Sequence, residues 1–246
     1  MDAAPWLRRV DARAQTRLLC LPFAGSGTVD FRSWRDGLPG HVDLCPIVLP
    51  GRESRLRDPA IDRMEPLVDA LVDALLPVLR SAPYVIYGHS MGAWVGFEWV
   101  RALRRRHAPL PRHLVVGARR APDRPARRPP LSGLAGEPFI AGVQERYGGI
   151  PQAIRDNAEL MGLFVPTLRA DFALLDGYTH RPEPALPMPI TALRGRSDDT
   201  VVAADIIAWG SHTDGTFVHR TLPGGHFFHQ DDPDLVLDVL TPLLRP

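Results

Sequence analysis

The stretch YVIYGHSMG, residues 84–92, joins a short apolar run to the amphipathic run AWVGFEWVRALRRR of residues 93–106. The apolar run predicts a buried strand and the amphipathic run predicts a helix, so Ser90 lies where a strand turns into a helix. Gly88 and Gly92 stand two positions before and after it, where a sharp turn leaves no room for a Cβ atom. We therefore interpret Ser90 as a strained, exposed nucleophile rather than an ordinary serine in a glycine-rich turn.

Short apolar runs bounded by Gly and Pro alternate with segments of helical period along the rest of the chain. This alternation is typical of an α/β protein whose central sheet is mainly parallel, with helices on both faces. We predict strands at 17–21, 43–49, 84–87, 114–117, 190–194 and 216–222, and core helices at 64–79, at 91–106 and after Asp232. A serine at a strand-to-helix turn of such a sheet predicts the α/β-hydrolase fold.

One connection is far longer than a crossover helix requires, because about 70 residues separate the strands near Gly117 and Ile190. It begins with the Arg- and Pro-rich run RRAPDRPARRPP, residues 119–130, which cannot form a helix. Helical patterns follow at 137–147, 151–161 and 163–178. We predict a helical lid, residues 119–186, inserted into a hydrolase core made of residues 1–118 and 187–246.

The bulk composition is that of an ordinary globular protein, with 246 residues of which 45% are apolar and 23% charged. A net charge of +1 creates no overall field that would attract nucleic acid or an anionic membrane. The apolar run at 18–25 is short and is broken by Pro22, so we predict neither a signal peptide nor a membrane span. We expect a cytoplasmic monomer without nucleic-acid or membrane partners.

The base that activates the serine should be a histidine, and a carboxylate should orient that histidine. On the α/β-hydrolase fold these partners follow in the order serine, acid, histidine. Of the nine histidines, only His226 lies in the loop directly between the last predicted strand and the last helix. We take His226 as the base. A histidine that merely caps the next helix, or the nearby His229 as the base, are the alternatives.

The acid should follow the strand at 190–194, in the loop GRSDDTV of residues 195–201. Two adjacent aspartates, Asp198 and Asp199, compete for this role. Asp198 is favoured because it keeps a G-x-x-D-x-x-V spacing, in which Val201 anchors the loop in the core. A third reading is that both aspartates only form the turn.

Acyl transfer also requires backbone donors for the negative oxygen of the tetrahedral intermediate. The N–H of Met91, at the start of the helix after Ser90, is one predicted donor. The N–H of Ala24, in the small-residue turn PFAGSG of residues 22–27, is the other. A phosphate-binding glycine loop is the alternative for this turn, but the run lacks both G-x-G-x-x-G and a following Gly-Lys-Ser/Thr.

Eight segments in order resemble one family, the type II thioesterases that accompany modular polyketide and nonribosomal peptide synthases. They cover nearly the whole chain: LCLPFAGSG (19–27), VLPGRESR (48–55), YGHSMGAWVGFE (87–98), RRAPDRP (119–125), RYGGIPQAI (146–154), LRADFALLDGY (168–178), PITALRGRSDDTVV (189–202) and LPGGHFF (222–228). The resemblance implies a free-standing serine hydrolase that removes stalled or incorrect acyl groups from the phosphopantetheine arm of acyl or peptidyl carrier proteins. It places the triad on Ser90, Asp198 and His226, as the spacing does.

No metal ion or redox cofactor is expected, because the phosphopantetheine belongs to the carrier-bound substrate and no His/Cys cluster has ligand spacing. The acyl pocket should be lined by apolar side chains of the lid and of the turn near Ala24. The predicted lining residues are Phe23, Phe139, Leu163, Phe164 and Phe172. For the lid residues among them, packing within the lid is the alternative.

The arginines of the run at 119–128 form either a docking patch for an acidic carrier protein or a solvated Pro/Arg loop. These arginines are Arg119, Arg120, Arg124, Arg127 and Arg128. Two other functions are compatible with the same sequence. One is a small-molecule carboxylesterase on the same fold, and the other is a non-catalytic protein that binds carriers.

Overall fold

A computed structural model describes residues 5–246, in which six strands form one sheet whose neighbouring strands are all parallel. The sheet order is β2-β1-β3-β4-β5-β6. The strands are β1 Thr16–Leu21, β2 Val42–Pro46, β3 Tyr84–His89, β4 His113–Gly117, β5 Ile190–Gly195 and β6 Phe217–Leu222. The predicted α/β architecture is confirmed. The second strand ends three residues earlier than predicted, at Pro46; the N–H of Ile47 still donates to the carbonyl oxygen of Cys20 at 2.9 Å, but Ile47 then pairs with Leu7 in an isolated antiparallel bridge.

Helices cover both faces of the sheet. Side chains of successive strand residues point to opposite faces, so each strand contributes to two cores. Leu19, Ile86 and Leu114 pack in one apolar core with helices α1 (Met64–Leu79) and α2 (Met91–Arg105). Their neighbours Leu18, Val85 and Val115 pack in a second core with α8 (Pro233–Leu240) and the 3₁₀ helix Thr28–Gly37. No helix within residues 5–246 has both the length and the apolar composition that a membrane span requires.

Three helices lie between β4 and β5, in the segment predicted as a lid: α3 Gly136–Tyr147, α4 Gln152–Arg155 and α5 Ala158–Gly177. The predicted boundary between two pieces near residue 162 is wrong, because α5 is continuous there. Its start is set instead by Asn157, whose side chain accepts hydrogen bonds from the N–H groups of Glu159 and Leu160 at 3.0 and 3.1 Å. These helices have an apolar core of their own, formed by Leu131, Phe139, Val143, Ile150, Leu168 and Phe172.

Two further short α-helices are α6 (Ala203–Ile207) and α7 (Phe228–Asp231), and short 3₁₀ helices lie at Glu53–Arg55, Ala208–His212 and Thr241–Leu244. Helix α6 follows the loop after β5 and α7 follows the loop after β6. Because the carboxyl ends of parallel strands meet at one edge of a sheet, these loops and the turn after β3 converge at the same edge. The residues singled out in the sequence therefore lie within reach of one another.

Candidate active site

Ser90 lies at the turn between β3 and α2, with φ 50° and ψ −107°, a conformation that residues with a Cβ atom seldom adopt. The turn is tight on both sides. A Cβ atom on Gly88 would lie 2.1 Å from the carbonyl oxygen of Gly92, and one on Gly92 would lie 2.2 Å from that of Leu21. Only glycine fits at these two positions, and the strained turn places the Ser90 hydroxyl in a cavity.

His226, in the loop between β6 and α7, lies between Ser90 and Asp198. Its Nε2 atom is 3.1 Å from the Ser90 Oγ, and its Nδ1 atom is 2.8 Å from the Asp198 Oδ2. All three side chains are buried. The three residues chosen from the sequence thus form one hydrogen-bonded chain, although Ser90 lies more than a hundred residues from either of the other two along the polypeptide.

The two competing aspartates differ sharply in environment. The Asp198 side chain is fully buried against His226, whereas the Asp199 side chain is 76% exposed and pairs with Arg128 at 3.0 Å. Thr200 supports the first of them, because its N–H and its hydroxyl both donate to the Asp198 Oδ1, at 2.9 and 2.6 Å. Asp198 is therefore the carboxylate that contacts the histidine, as the spacing with Val201 favoured.

The charge of Asp198 is maintained against its burial. Burial by itself would raise the pKa of this carboxyl group, but the hydrogen bond and charge of His226, together with the Thr200 hydrogen bonds, outweigh it and lower the pKa below its usual value. An ionised Asp198 accepts the Nδ1–H of His226 and leaves Nε2 free to accept a proton from Ser90. The electrostatics of the site thus fix the tautomer that a general base needs.

His229, the alternative base, is fully buried and makes no hydrogen bond to Ser90. Its ring stacks on that of His89 with the centroids 3.7 Å apart, and burial lowers its pKa to about 3. Neither ring nitrogen has a hydrogen-bond partner within residues 5–246. His229 therefore packs as an uncharged ring.

His89 has a definite hydrogen-bonding role that the sequence did not reveal. Its Nε2 atom lies 2.8 Å from the carbonyl oxygen of His226, and its Nδ1 atom lies 2.9 Å from the Tyr87 hydroxyl. A carbonyl oxygen can only accept, so Nε2 carries the proton and Nδ1 accepts from the tyrosine. Burial and the nearby rings of His229 and His226 lower the pKa of His89, which keeps the ring neutral. The backbone of the His226 loop is thereby tied to the turn that carries Ser90.

The hydroxyl of Ser90 and the ring of His226 face a cavity of about 330 Å³ with mainly apolar walls. Of the predicted lining residues, Phe23, Phe164 and Phe172 line it. Leu168 and Leu175 join them because residues 164, 168, 172 and 175 share one face of α5.

Two of the predicted lining residues, Phe139 and Leu163, do not line this cavity. Phe139 is fully buried in the core of the lid segment and packs edge-to-face on Phe172, with the ring centroids 5.6 Å apart. Leu163 is 50% exposed, since it lies about 100° around α5 from Phe164. The sequence showed that these helices have apolar faces but not which face meets the cavity.

One of the two predicted backbone donors lines this cavity, and the other directly follows a residue that lines it. Met91 is the first residue of α2, so its N–H has no acceptor within the helix, and Ala24 lines the cavity together with Ser90. The next N–H along the turn, that of Gly25, donates to the Asp171 Oδ2 at 2.7 Å. Helix α5 therefore holds the turn that presents Ala24.

Asp171 is itself held by a buried ion pair. Its Oδ1 atom lies 2.7 Å from Nη2 of Arg52, and the two side chains are only 4% and 8% exposed. Arg52 Nη1 also donates to the carbonyl oxygen of Ser26 at 2.6 Å. Sequence reasoning missed both residues, although each lies in a segment that resembles the thioesterases, VLPGRESR and LRADFALLDGY.

Tyr147 and Thr200 are further residues that contact the histidine and were not predicted. The Tyr147 ring centroid is 5.0 Å from that of His226, and the Thr200 Oγ1 is 3.1 Å from its Nδ1. Thr200 lies two residues after Asp198 in the same loop, so its position near the predicted acid could have been inferred from the sequence. Tyr147 ends α3, and only the placement of that helix brings it to the site.

Comparisons with known proteins show which family the chain belongs to. The family model described as "Thioesterase domain" matches residues 16–243. The gramicidin S biosynthesis protein GrsT of Aneurinibacillus migulanus is 32% identical, over 96% of this chain and 91% of its own. RedJ, a thioesterase of the prodiginine pathway in Streptomyces coelicolor, is 37% identical with a TM-score of 0.87, covering 95% of this chain and 87% of its own. YbtT, a type II thioesterase of the yersiniabactin NRPS/PKS pathway, is 27% identical with a TM-score of 0.84, covering 96% and 97%. The chain belongs to the thioesterase family.

Proposed function

We propose that the protein hydrolyses the thioesters that join stalled or incorrect acyl groups to phosphopantetheine arms of acyl or peptidyl carrier proteins. The observation that carries this proposal is the hydrogen-bonded chain Asp198–His226–Ser90 opening into an apolar cavity. The relatives from gramicidin S, prodiginine and yersiniabactin biosynthesis support the choice of polyketide or nonribosomal peptide carriers. We further propose that it acts as a monomer in the cytoplasm.

The first half of the reaction transfers the acyl group to the enzyme. Nε2 of His226 accepts the Ser90 proton while the Ser90 Oγ attacks the thioester carbonyl carbon. The N–H groups of Met91 and Ala24 donate to the oxygen as it becomes negative. The carbon–sulfur bond then breaks, and the carrier thiol departs with the proton that His226 held.

The second half frees the acid. His226 accepts a proton from a water molecule, whose oxygen attacks the acyl carbon, and the bond to Ser90 Oγ breaks as the serine regains a proton. Asp198 remains ionised throughout and stabilises the charged imidazole. These steps use only protein side chains, backbone N–H groups and water, so we propose that no metal ion or redox cofactor takes part.

The substrate preference follows from the cavity. Its aromatic and aliphatic walls suit an acyl chain, and a volume of about 330 Å³ suits short or medium chains better than long ones. Polar side chains such as Ser26, Asp30 and Gln230 also reach its lining, so the apolar character is not complete. We expect release of most acyl groups with a preference for short chains.

The test is a carrier protein loaded in parallel with short, branched and long acyl groups, with loss of each followed by intact mass. The oxygen ester of the same acyl group with a simple alcohol is the comparison substrate. We expect kcat/KM for the carrier thioester to exceed that for the oxygen ester by at least about tenfold.

Comparable rates on the thioester and the oxygen ester would indicate a general carboxylesterase instead. Binding of the loaded carrier without loss of any acyl group would indicate a non-catalytic carrier-binding protein. Either result would contradict the proposal, and the two are distinguishable because only the first shows turnover.

The network of Asp171 leads to a prediction about positioning rather than chemistry. In the Asp171→Asn variant an amide replaces one acceptor, so either the Gly25 N–H or the Arg52 guanidinium loses its partner. We expect kcat to fall about tenfold to a hundredfold with a smaller change in KM, because the displaced turn misaligns the Ala24 N–H. Steady-state kinetics on a loaded carrier measure both constants.

Asp156→Asn is a suitable control, since Asp156 is exposed just before α5 and the hydrogen bonds of its side chain within residues 5–246 are all with Gln152. Thermal unfolding separates the two effects of the Asp171 change, because loss of a buried ion-pair partner also costs about 3–5 kcal/mol of stability. A variant that is folded at the assay temperature and keeps the original kcat would show that Asp171 is only structural.

A further inference from the structure

A second cavity, of about 530 Å³, shares the walls Tyr147, Phe172 and Leu175 with the apolar cavity. Its other walls include Trp94, Thr200 and the Arg- and Pro-rich run at 119–130. Positive charge dominates the lining: six arginines face three aspartates. The two cavities thus differ in chemistry although they meet at the same side chains beside His226.

Three of the arginines that the sequence suggested as a docking patch are paired with carboxylates. The nitrogen–oxygen distances are 3.8 Å for Arg124 and Asp123, 3.0 Å for Arg127 and Asp205, and 3.0 Å for Arg128 and Asp199. Their charges are largely neutralised within the protein. They are therefore weak candidates for the recognition of a further anion.

The other two, Arg119 and Arg120, have a different environment. Their guanidinium carbons lie 3.7 and 4.6 Å from the ring centroid of Trp94. No carboxylate oxygen of residues 5–246 lies within the 4.0 Å of an ion pair from either guanidinium. The Arg119 residue is only 7% exposed, and its Nε has no hydrogen-bond partner in the described part of the chain. We call these two residues the arginine pair.

A buried cation without a counter-charge is costly, because the protein interior solvates it poorly. Burial lowers the pKa of Arg119 to about 10 and the nearby charge of Arg120 acts in the same direction, although Tyr147 and the more distant carboxylate of Asp176 partly oppose them. Both side chains nonetheless stay charged at neutral pH. An anion that enters the cavity would relieve this cost, and guanidinium groups bind phosphate and carboxylate through two parallel hydrogen bonds.

The arginine pair lies on the side of the active site from which we expect the thiol leaving group to depart. The Ser90 N–H donates to the carbonyl oxygen of Gly117 at 2.8 Å, two residues before Arg119, so the pair begins beside the nucleophile turn. Thr200 and Tyr147, which both line this cavity, contact His226. Because the histidine delivers a proton to the departing thiol, the phosphopantetheine arm that carries this thiol passes on the side of His226.

We propose that the arginine pair binds the phosphodiester of the phosphopantetheine arm while the acyl chain occupies the apolar cavity. The inference rests on the proposed function. It assigns the acyl chain of a carrier-bound thioester to the apolar cavity and the phosphopantetheine arm to the second cavity. The phosphodiester is the anionic group of the phosphopantetheine arm. Binding it in the second cavity helps to position the thioester for attack by Ser90.

The test compares two small substrates with the same acyl group, butyryl-phosphopantetheine and butyryl-pantetheine, which differ only in the phosphate. In the wild-type protein we expect KM for the phosphorylated substrate to be at least about tenfold lower. In Arg119→Met and Arg120→Met the ratio of the two KM values should fall to within about threefold of one. Methionine keeps an apolar stem against Trp94 while it removes the charge.

Arg128→Met is the matched control, because Arg128 lies on the same run but is paired with Asp199. It should retain the wild-type ratio. Arg120 is more exposed than Arg119, so Arg120→Met remains informative if the Arg119 variant fails to fold in a thermal unfolding assay. Succinyl-pantetheine is added to test whether the pair instead binds a carboxylate on the acyl group.

Equal KM values for the two butyryl substrates in the wild type would overturn the inference and leave the thioesterase proposal intact. A preference for succinyl-pantetheine over butyryl-pantetheine that vanishes in the arginine variants would also overturn it, in favour of acyl-side recognition. Absence of hydrolysis of every thioester would contradict the proposed function itself, and the inference with it.

Discussion

Ser90→Ala is expected to lower kcat for a carrier-bound acyl thioester by about ten-thousandfold or more. The Oγ atom forms the bond to the acyl carbon, so its removal eliminates the covalent route and leaves only the backbone donors and substrate binding. The measurement is single-turnover loss of the acyl group from a loaded carrier, read by intact mass. The strained turn itself should persist, because alanine, like serine, has a single Cβ atom at φ 50°.

A serine-directed phosphonate provides the control. It should label the wild-type protein once, at Ser90, and should leave the Ser90→Ala variant unlabelled. A normal thermal unfolding curve for the variant shows that lost activity does not reflect unfolding. Acyl release by Ser90→Ala at the wild-type rate would refute the assignment of the nucleophile.

The second large effect is expected from Asp198→Asn, which should lower kcat by about a thousandfold to ten-thousandfold. Asparagine is nearly isosteric, but its amide group can donate to Nδ1 of His226. That would favour the tautomer with the proton on Nε2, which cannot accept the Ser90 proton. The Thr200 hydrogen bonds to this side chain leave it little freedom to turn away. Steady-state kinetics on the loaded carrier give the effect.

The adjacent aspartate is a matched control for this substitution. Asp199→Asn removes a charge one residue away, on a side chain that is 76% exposed and whose one ion pair among residues 5–246 is with Arg128. We expect kcat to change by less than about twofold, as surface ion pairs contribute little. A large loss in Asp199→Asn with retained activity in Asp198→Asn would reverse the assignment of the acid.

The order of strands and helices along the chain was predictable from the sequence, and so were the candidate catalytic residues that follow the strands. The run YVIYGHSMG identified the turn with Ser90 because glycine spacing and the change from strand to helix pattern are local properties. His226 and the pair Asp198 and Asp199 followed from their positions after the last two strands. The parallel sheet then brings these loops together, since its carboxyl ends share one edge.

The side chains of the lid segment were less predictable, for two physical reasons. The start of α5 depends on the hydrogen bonds of the Asn157 side chain, and the helix then runs without a break past Gly162. Phe139 and Leu163 were assigned to the pocket because both are apolar residues in helical patterns. A helical period shows that a segment has an apolar face, but packing against other segments decides which core that face joins.

The sequence by itself determined the fold class, the strained serine turn and the loops that hold the histidine and the acid, because these depend on local pattern and on chain order. Only the tertiary structure decided between Asp198 and Asp199, through the burial of one and the exposure of the other. It also revealed the Asp171 and Arg52 ion pair and the arginine pair on Trp94, which join residues far apart in the chain. Whether a charged side chain has a partner depends on distances between residues that are far apart in the chain, and a local sequence pattern carries no information about those distances.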